Sequence, residues 1–186
     1  KLQYLQIKDE IDSAIQDVIN NTAFIKGAYV DKFESEFKNF CGVNHCIGVA
    51  NGTDALYISL KSLGIGLGDE VITVANTWIS TSETISQTGA KPVFIDIDKD
   101  FYTINVNQIK SKITGKTKAI IPVHLFGHPT NINEIMQIAK DYGLKVIEDC
   151  AQAHFSSWDK KLVGTFGDIG TFSFFPGKNL GAYGDA

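Results

Sequence analysis

KAIIPVHLFGHPTNINEIMQIAKDYGLKVIED, Lys118–Asp149, carries the fold in miniature. Lys118 to His124 is a short apolar run of strand character, Ile132 to Tyr142 repeats its apolar residues at helical spacing, and Lys145 to Glu148 is a strand again. Two strands joined through a helix need a crossover connection, so they lie parallel with the helix packed on one face. The alternation extends outward. Upstream, Cys46–Ala50 reads as a strand, Asp54–Leu63 as a helix closed by Gly64, and Glu70–Val74 as a strand. Ser80–Thr88 then reads as a helix, Lys91–Asp96 as a strand and Asn107–Ile113 as a short helix. Downstream, FSFFPGKNLG, Phe172–Gly181, runs from an apolar strand into a Pro-Gly turn. This order predicts an α/β domain, a mostly parallel sheet covered on both faces. Two amphipathic helices precede it. One is built on Ile7, Ile11, Ile15 and Val18 and ends near Asn20 and Asn21; the other is built on Val30, Phe33, Phe37 and Phe40 and stops at Gly42.

Composition narrows the partners. With 44% hydrophobic and 20% charged residues, the 186-residue chain reads as one cored globular domain, and its net charge of −4 without a basic cluster argues against nucleic acid or an anionic membrane. All 17 basic residues are lysine, so a bidentate arginine clamp for a carboxylate or phosphate must come from elsewhere. Cys41, Cys46 and Cys150 fit neither a disulfide framework nor a zinc site; no metal is expected, and reduced thiols point to the cytoplasm. The first residues lack a signal core, and no apolar run approaches the length of a membrane span.

In parallel sheets ligands gather beyond the carboxyl ends of the strands, so the residues that follow each strand carry the functional reading. Ala50-Asn51-Gly52-Thr53-Asp54 is a strand, a glycine turn and a helix start, where amides and the helix dipole could seat a phosphate; an ordinary turn capped by Thr53 or Asp54 fits the same residues. Trp78 follows a strand among polar neighbours and offers either a stacking face or a partly buried core ring. Asp149 ends a buried strand and needs a cation, from a lysine or from a protonated heterocycle, and Gln152 brings an amide to the same region. Lys178 sits at the mouth of an apolar run, where partial desolvation favours the free amine, a nucleophile for carbonyl carbon; a surface lysine on a turn is the plain alternative. His124, His128 and His154 occupy rim positions and read as structural histidines. A phosphate seat, a stacking aromatic, a carboxylate and an amine are together what pyridoxal 5'-phosphate requires.

The chain resembles the DegT-type pyridoxal-phosphate-dependent nucleotide-sugar aminotransferases, within the fold-type I aminotransferases. VANGTDAL (Val49–Leu56), GDEVIT (Gly68–Thr73), NTWIST (Asn76–Thr81), KAIIPVHLFG (Lys118–Gly127), VIEDCAQAH (Val146–His154) and SFFPGKNLGAYGDA (Ser173–Ala186) carry the resemblance. It implies a three-layer αβα large domain over residues 1–186, incomplete and without the C-terminal small domain, against which the helical segment 1–25 would pack. It implies Lys178 as the Schiff-base lysine and Asp149 as partner of the pyridine nitrogen. Trp78 would stack on the ring, Gln152 would reach the phenolic oxygen, and Gly52, Thr53 and Ser173 would hold the phosphate. Relatives with histidine in place of the lysine are dehydratases, so Lys178 favours transamination. The implied reaction is ping-pong, from L-glutamate to a nucleotide-linked keto sugar, a dTDP-3-keto-6-deoxyhexose ahead of a 4-keto sugar, in a homodimer with shared active sites. A non-catalytic, regulatory relative that keeps the cofactor is the reading of another class. Family members are about twice this length, and the final GAYGDA reads as the start of a further strand.

Overall fold

The computed structural model describes residues 2–186. They fall into two compact units, one ending at Gly48 and the other Val49–Ala186. The first unit consists of helices α1 (Leu2–Asn20) and α2 (Ala28–Cys41). Gly42 ends α2 in the left-handed conformation expected of a glycine after a helix. None of the described residues of either helix is buried within the structure.

The second unit contains α3 (Gly52–Ser62), β1 (Glu70–Val74), α4 (Ser80–Gln87), β2 (Lys91–Ile95), α5 (Val106–Lys112), β3 (Thr117–Ile121), α6 (Ile132–Tyr142) and β4 (Lys145–Asp149). A two-stranded hairpin, β5 (Ser157–Trp158) with β6 (Lys161–Leu162), and β7 (Ile169–Thr171) follow. The main sheet runs β2-β1-β3-β4-β7 with every pairing parallel. From β1 the chain steps outward to β2, then returns past β1 to β3, so the direction of winding reverses between β1 and β3. The crevice for a ligand in such sheets opens at that reversal, beyond the carboxyl ends.

Strand alternation builds the two faces. Val71, Ala119, Ile121 and Ile147 pack with Leu56, Leu60 and Ile85 from α3 and α4. Their neighbours Ile72, Val74, Ile120 and Val146 pack on the other face with Ile109, Ile132, Ile135 and Ile138 from α5 and α6. These are the three layers expected from the alternation of strands and helices.

Three expectations need correction. Cys46–Ala50 forms no strand; no neighbouring strand pairs with it, and the boundary between the two units falls within it. The last sheet strand is Ile169–Thr171 rather than the Phe172 run, because its ladder partners are Ile147, Glu148 and Asp149. The final residues are not a strand either: the Ala182 amide and the Ala186 carbonyl bond to Phe174 without forming a ladder. Among the described residues no helix is long and apolar enough to cross a membrane.

Ile120, on the central strand β3, is fully buried, whereas Leu67 is 93% exposed. In denaturant unfolding, Ile120→Ala is expected to cost about 2–5 kcal/mol, and Leu67→Ala less than about 0.5 kcal/mol.

Candidate active site

The end of β4 brings two carboxylates into contrasting settings. Alternation turns Glu148 toward the α5/α6 face and Asp149 toward the α3/α4 face. Glu148 is fully buried and accepts four hydrogen bonds: from His124 Nε2 (3.1 Å) and from the amides of Gly164 (2.9 Å), Phe166 (2.7 Å) and Gly167 (2.8 Å). His124 Nδ1 accepts from the Thr130 amide (3.1 Å), which leaves Nε2 to carry the proton given to Glu148. Burial pushes the Glu148 carboxyl up, but His124 and the amides of Gly167 and Gly164 bring it below its ordinary value.

Asp149 is 5% exposed and, among the described residues, accepts two, from Thr81 Oγ1 (2.9 Å) and the Ala151 amide (3.1 Å). Burial pushes its carboxyl up, and the bonds from Ala151 and Thr81, with the electrostatic influence of His124 and, last, of Lys178, do not cancel that rise. Main-chain bonds fix its place: Asp149 N donates to Pro122 O (2.9 Å) and His124 N to Asp149 O (3.0 Å), extending β3 alongside β4. None of the ion pairs among the described residues includes Asp149 or Lys178.

Lys178 is half-buried, on the turn in which its amide donates to Phe175 O (2.8 Å). Upstream on the same segment, buried Ser173 abuts the start of α3: a Cβ on Gly52 would lie 2.8 Å from Ser173 Cβ, so this contact admits only glycine. The cap of α3 is Asn51, whose Oδ1 accepts from Asp54 N (2.9 Å), rather than Thr53 or Asp54. The extended backbone at Asn51 directs its side chain to that amide, and Thr53 Oγ1 instead meets Ser80 Oγ (2.8 Å). With Asp54 N taken by the cap and Ala55 N by Asn51 O, the amides of Gly52 and Thr53 precede the first intrahelical bond.

Trp78 follows β1 on the loop into α4 and is 72% exposed, not a core ring. Its carbonyl accepts from the amide of Thr81, the residue that bonds Asp149. Gln152 Oε1 accepts from Phe126 N (3.0 Å), which leaves its Nε2 donors unassigned to that bond. The structure thus brings Asp149 within electrostatic reach of Lys178 and sets Ser173 against Gly52 beside Thr53, while Trp78 and Gln152 border the same carboxyl ends. Sequence reasoning missed Thr81, Ser80 and the Phe126 amide, because a serine or threonine in a polar loop gives no sign of its partner across the sheet. It also missed that His154 lacks the partners His124 has.

These residues fit pyridoxal 5'-phosphate on their own chemistry: a buried carboxylate short of donors for a ring cation, helix-start amides with two hydroxyls for a phosphate, an exposed indole for a face and an amine. The chain matches the DegT/DnrJ/EryC1/StrS aminotransferase family over residues 5–186. It is 48% identical over 183 residues to a pleiotropic regulatory protein of Geobacillus stearothermophilus, covering 98% of this chain and 49% of that protein. It is 47% identical over 185 residues to the UDP-N-acetyl-3-dehydro-alpha-D-glucosamine 3-aminotransferase of Acidithiobacillus ferrooxidans, covering 100% and 50%. The crystal structure of a DegT DnrJ EryC1 StrS aminotransferase from Brucella abortus superimposes with a TM-score of 0.97 at 41% identity, covering 100% of this chain and 52% of that one. The chain therefore spans about half the length of the relatives it matches.

The raised carboxyl of Asp149 means that, without a cation, its ionised form is the costly one. Stability is lost as pH rises from about 4 through the folded value. In the cofactor-free full-length protein, Asp149→Asn is therefore expected to match wild type in acid and to exceed its unfolding midpoint at pH 7; an equal or lower midpoint at pH 7 contradicts the assignment.

Proposed function

The chain belongs to the DegT/DnrJ/EryC1/StrS aminotransferase family, and from that premise we propose that the protein is a pyridoxal 5'-phosphate-dependent aminotransferase. Its donor is L-glutamate and its acceptor a keto sugar linked to a nucleoside diphosphate. The observation that carries this reading is Asp149, a buried carboxylate with two donors where its neighbour has four. Pyridoxal 5'-phosphate, when bound, supplies an aldehyde that condenses with amines and a ring that accepts the electron pair released at the donor's alpha carbon.

The residues of the chain do the rest. Gly52 and Thr53 amides, with the hydroxyls of Thr53 and Ser173, bind the phosphate at the start of α3. Trp78 would offer its exposed indole as a face for the ring. Asp149 holds a proton on the ring nitrogen, so that the ring stays cationic and draws electrons; in return that cation relieves the cost of the buried carboxylate. Gln152, its orientation set by Phe126 N, would offer Nε2–H to the phenolic oxygen. Lys178 would hold the cofactor's aldehyde carbon through its side-chain nitrogen and, as a free amine, would move the proton at the donor's alpha carbon.

The acceptor we propose is a 3-keto sugar, a dTDP-linked 6-deoxyhexose, with the UDP-linked 3-keto sugar named for the Acidithiobacillus relative and 4-keto sugars as competitors. We further propose a cytoplasmic homodimer, whose partner subunit and remaining chain hold the donor's carboxylate, and a C-terminal domain that covers α1. The Geobacillus relative, named as a regulator, favours a second reading in which the cofactor is kept without turnover.

The full-length protein with pyridoxal 5'-phosphate is expected to show a visible absorbance band that Lys178→Ala abolishes. L-Glutamate alone should remove the band in a single turnover, after which each candidate keto sugar should restore it in proportion to its amination, read by mass spectrometry. A band that L-glutamate leaves unchanged overturns the aminotransferase in favour of the regulator. Gly52→Ala, which crowds Ser173, is expected to weaken cofactor binding at least about tenfold, the loss that follows from about 1.4 kcal/mol of misfit.

A further inference from the structure

His154 lies two residues beyond Gln152 and is only 6% exposed, yet neither ring nitrogen meets a hydrogen-bond partner among the described residues. Its contacts are aromatic. The Phe172 ring lies 5.7 Å away at 53° and the Phe174 ring 5.2 Å away at 63°, nearly edge-on. Those two residues flank Ser173, whose side chain meets Gly52. The pattern is the alternation of an extended chain: Phe172 and Phe174 turn one way onto His154, and Ser173 turns the other way onto the start of α3. Behind Phe172 lies a small apolar cluster of Cys150, Ala153 and Val163. A Cβ on Gly164 would come within 2.6 Å of the Phe172 ring, so the strip is gripped on that side as well.

A phenyl ring would fill the place of the imidazole and leave no polar atom unpaired. We propose that His154 is a positioning residue, a wedge behind Phe172 and Phe174 that presses Ser173 against Gly52 and fixes where the turn carries Lys178, and that the wedge holds only while the ring is uncharged. Burial is the largest influence on the ring and disfavours its proton; the Ser173 main chain favours it without reaching hydrogen-bond geometry, and the Lys178 ammonium disfavours it. The net effect lies below the ordinary value of 6.5. Of the groups that act on the ring, Lys178 is the charged one, and Cys150 is the titratable group in the cluster behind Phe172. The unfolded segment therefore binds a proton more readily than the folded one, so the segment is intact above about pH 6.5 and loosens as pH falls below it.

Hydrogen exchange in the cofactor-free full-length protein tests this without reference to the proposed reaction. The amides of Phe174, Lys178 and Ala182 donate to the carbonyls of Ala186, Phe175 and Phe174. Corrected for intrinsic rates, their protection in wild type should fall by up to about tenfold per pH unit below about pH 6.5, the slope of one coupled proton. H154F should keep its protection in acid, and H154A should lack it at pH 7.5. Parallel loss in wild type and H154F overturns the proposal, as does full protection in H154A; the wild-type and H154F pair decides even where H154A does not fold. A second readout rests on the proposed cofactor: wild type should release pyridoxal 5'-phosphate in acid and H154F should retain it. Retention of the exchange pattern in a protein that binds no pyridoxal 5'-phosphate would overturn the proposed function and leave the role of His154 standing.

Discussion

Because successive side chains of a strand point to opposite faces, Glu148 and Asp149, adjacent in sequence, cannot share surroundings. Glu148 enters a closed network of His124 and three amides, and its buried charge is matched. Among the described residues Asp149 receives hydrogen bonds from Thr81 and Ala151, and these with the more distant His124 and Lys178 do not offset its burial. The same burial thus yields opposite shifts, one carboxyl below its ordinary value and the other above. A strand end with one satisfied and one under-satisfied carboxylate pairs an anchor with the group that the proposed function gives to a cation. The first holds the second in register.

The anchor reaches further than Asp149. Gly164, whose amide bonds Glu148, adopts a φ of +83° and has no room for a Cβ against Phe172 and Cys150. Phe172 in turn packs on His154 and neighbours Ser173. Through these contacts the buried network on the α5/α6 face is continuous with the segment that carries Ser173 and Lys178. The rim residues on separate loops are therefore set by packing beneath them, which suits a site whose groups must be held before a ligand arrives.

Much of this was legible in the sequence. The bounds of β1 and α6 match the readings of Glu70–Val74 and Ile132–Tyr142, where periodicity and flanking signals agree. The rim positions of Trp78 after β1, Asp149 at the end of β4 and Gln152 beyond it follow from topology alone, whereas Gly52 was placed by a strand that does not form. Features that depend on two distant segments were not legible. Cys46–Ala50 has strand composition but no ladder partner, and Ile169–Thr171, with a glycine at its centre, is a strand because β4 lies beside it. Asn51 outranks Thr53 as cap through its backbone conformation. Thr81 and His154 gain their meaning from what lies across the sheet and behind the lysine segment, in one case a partner and in the other the lack of one.

The central claim is that Asp149 is an anion reserved for a cation. Nitrogen-15 NMR of the full-length protein, loaded with pyridoxal 5'-phosphate labelled at the ring nitrogen, tests it most directly. A protonated ring nitrogen at pH 8 in wild type that becomes neutral in Asp149→Asn is the result expected; a neutral nitrogen in wild type, or a protonated one in Asp149→Asn, would contradict it.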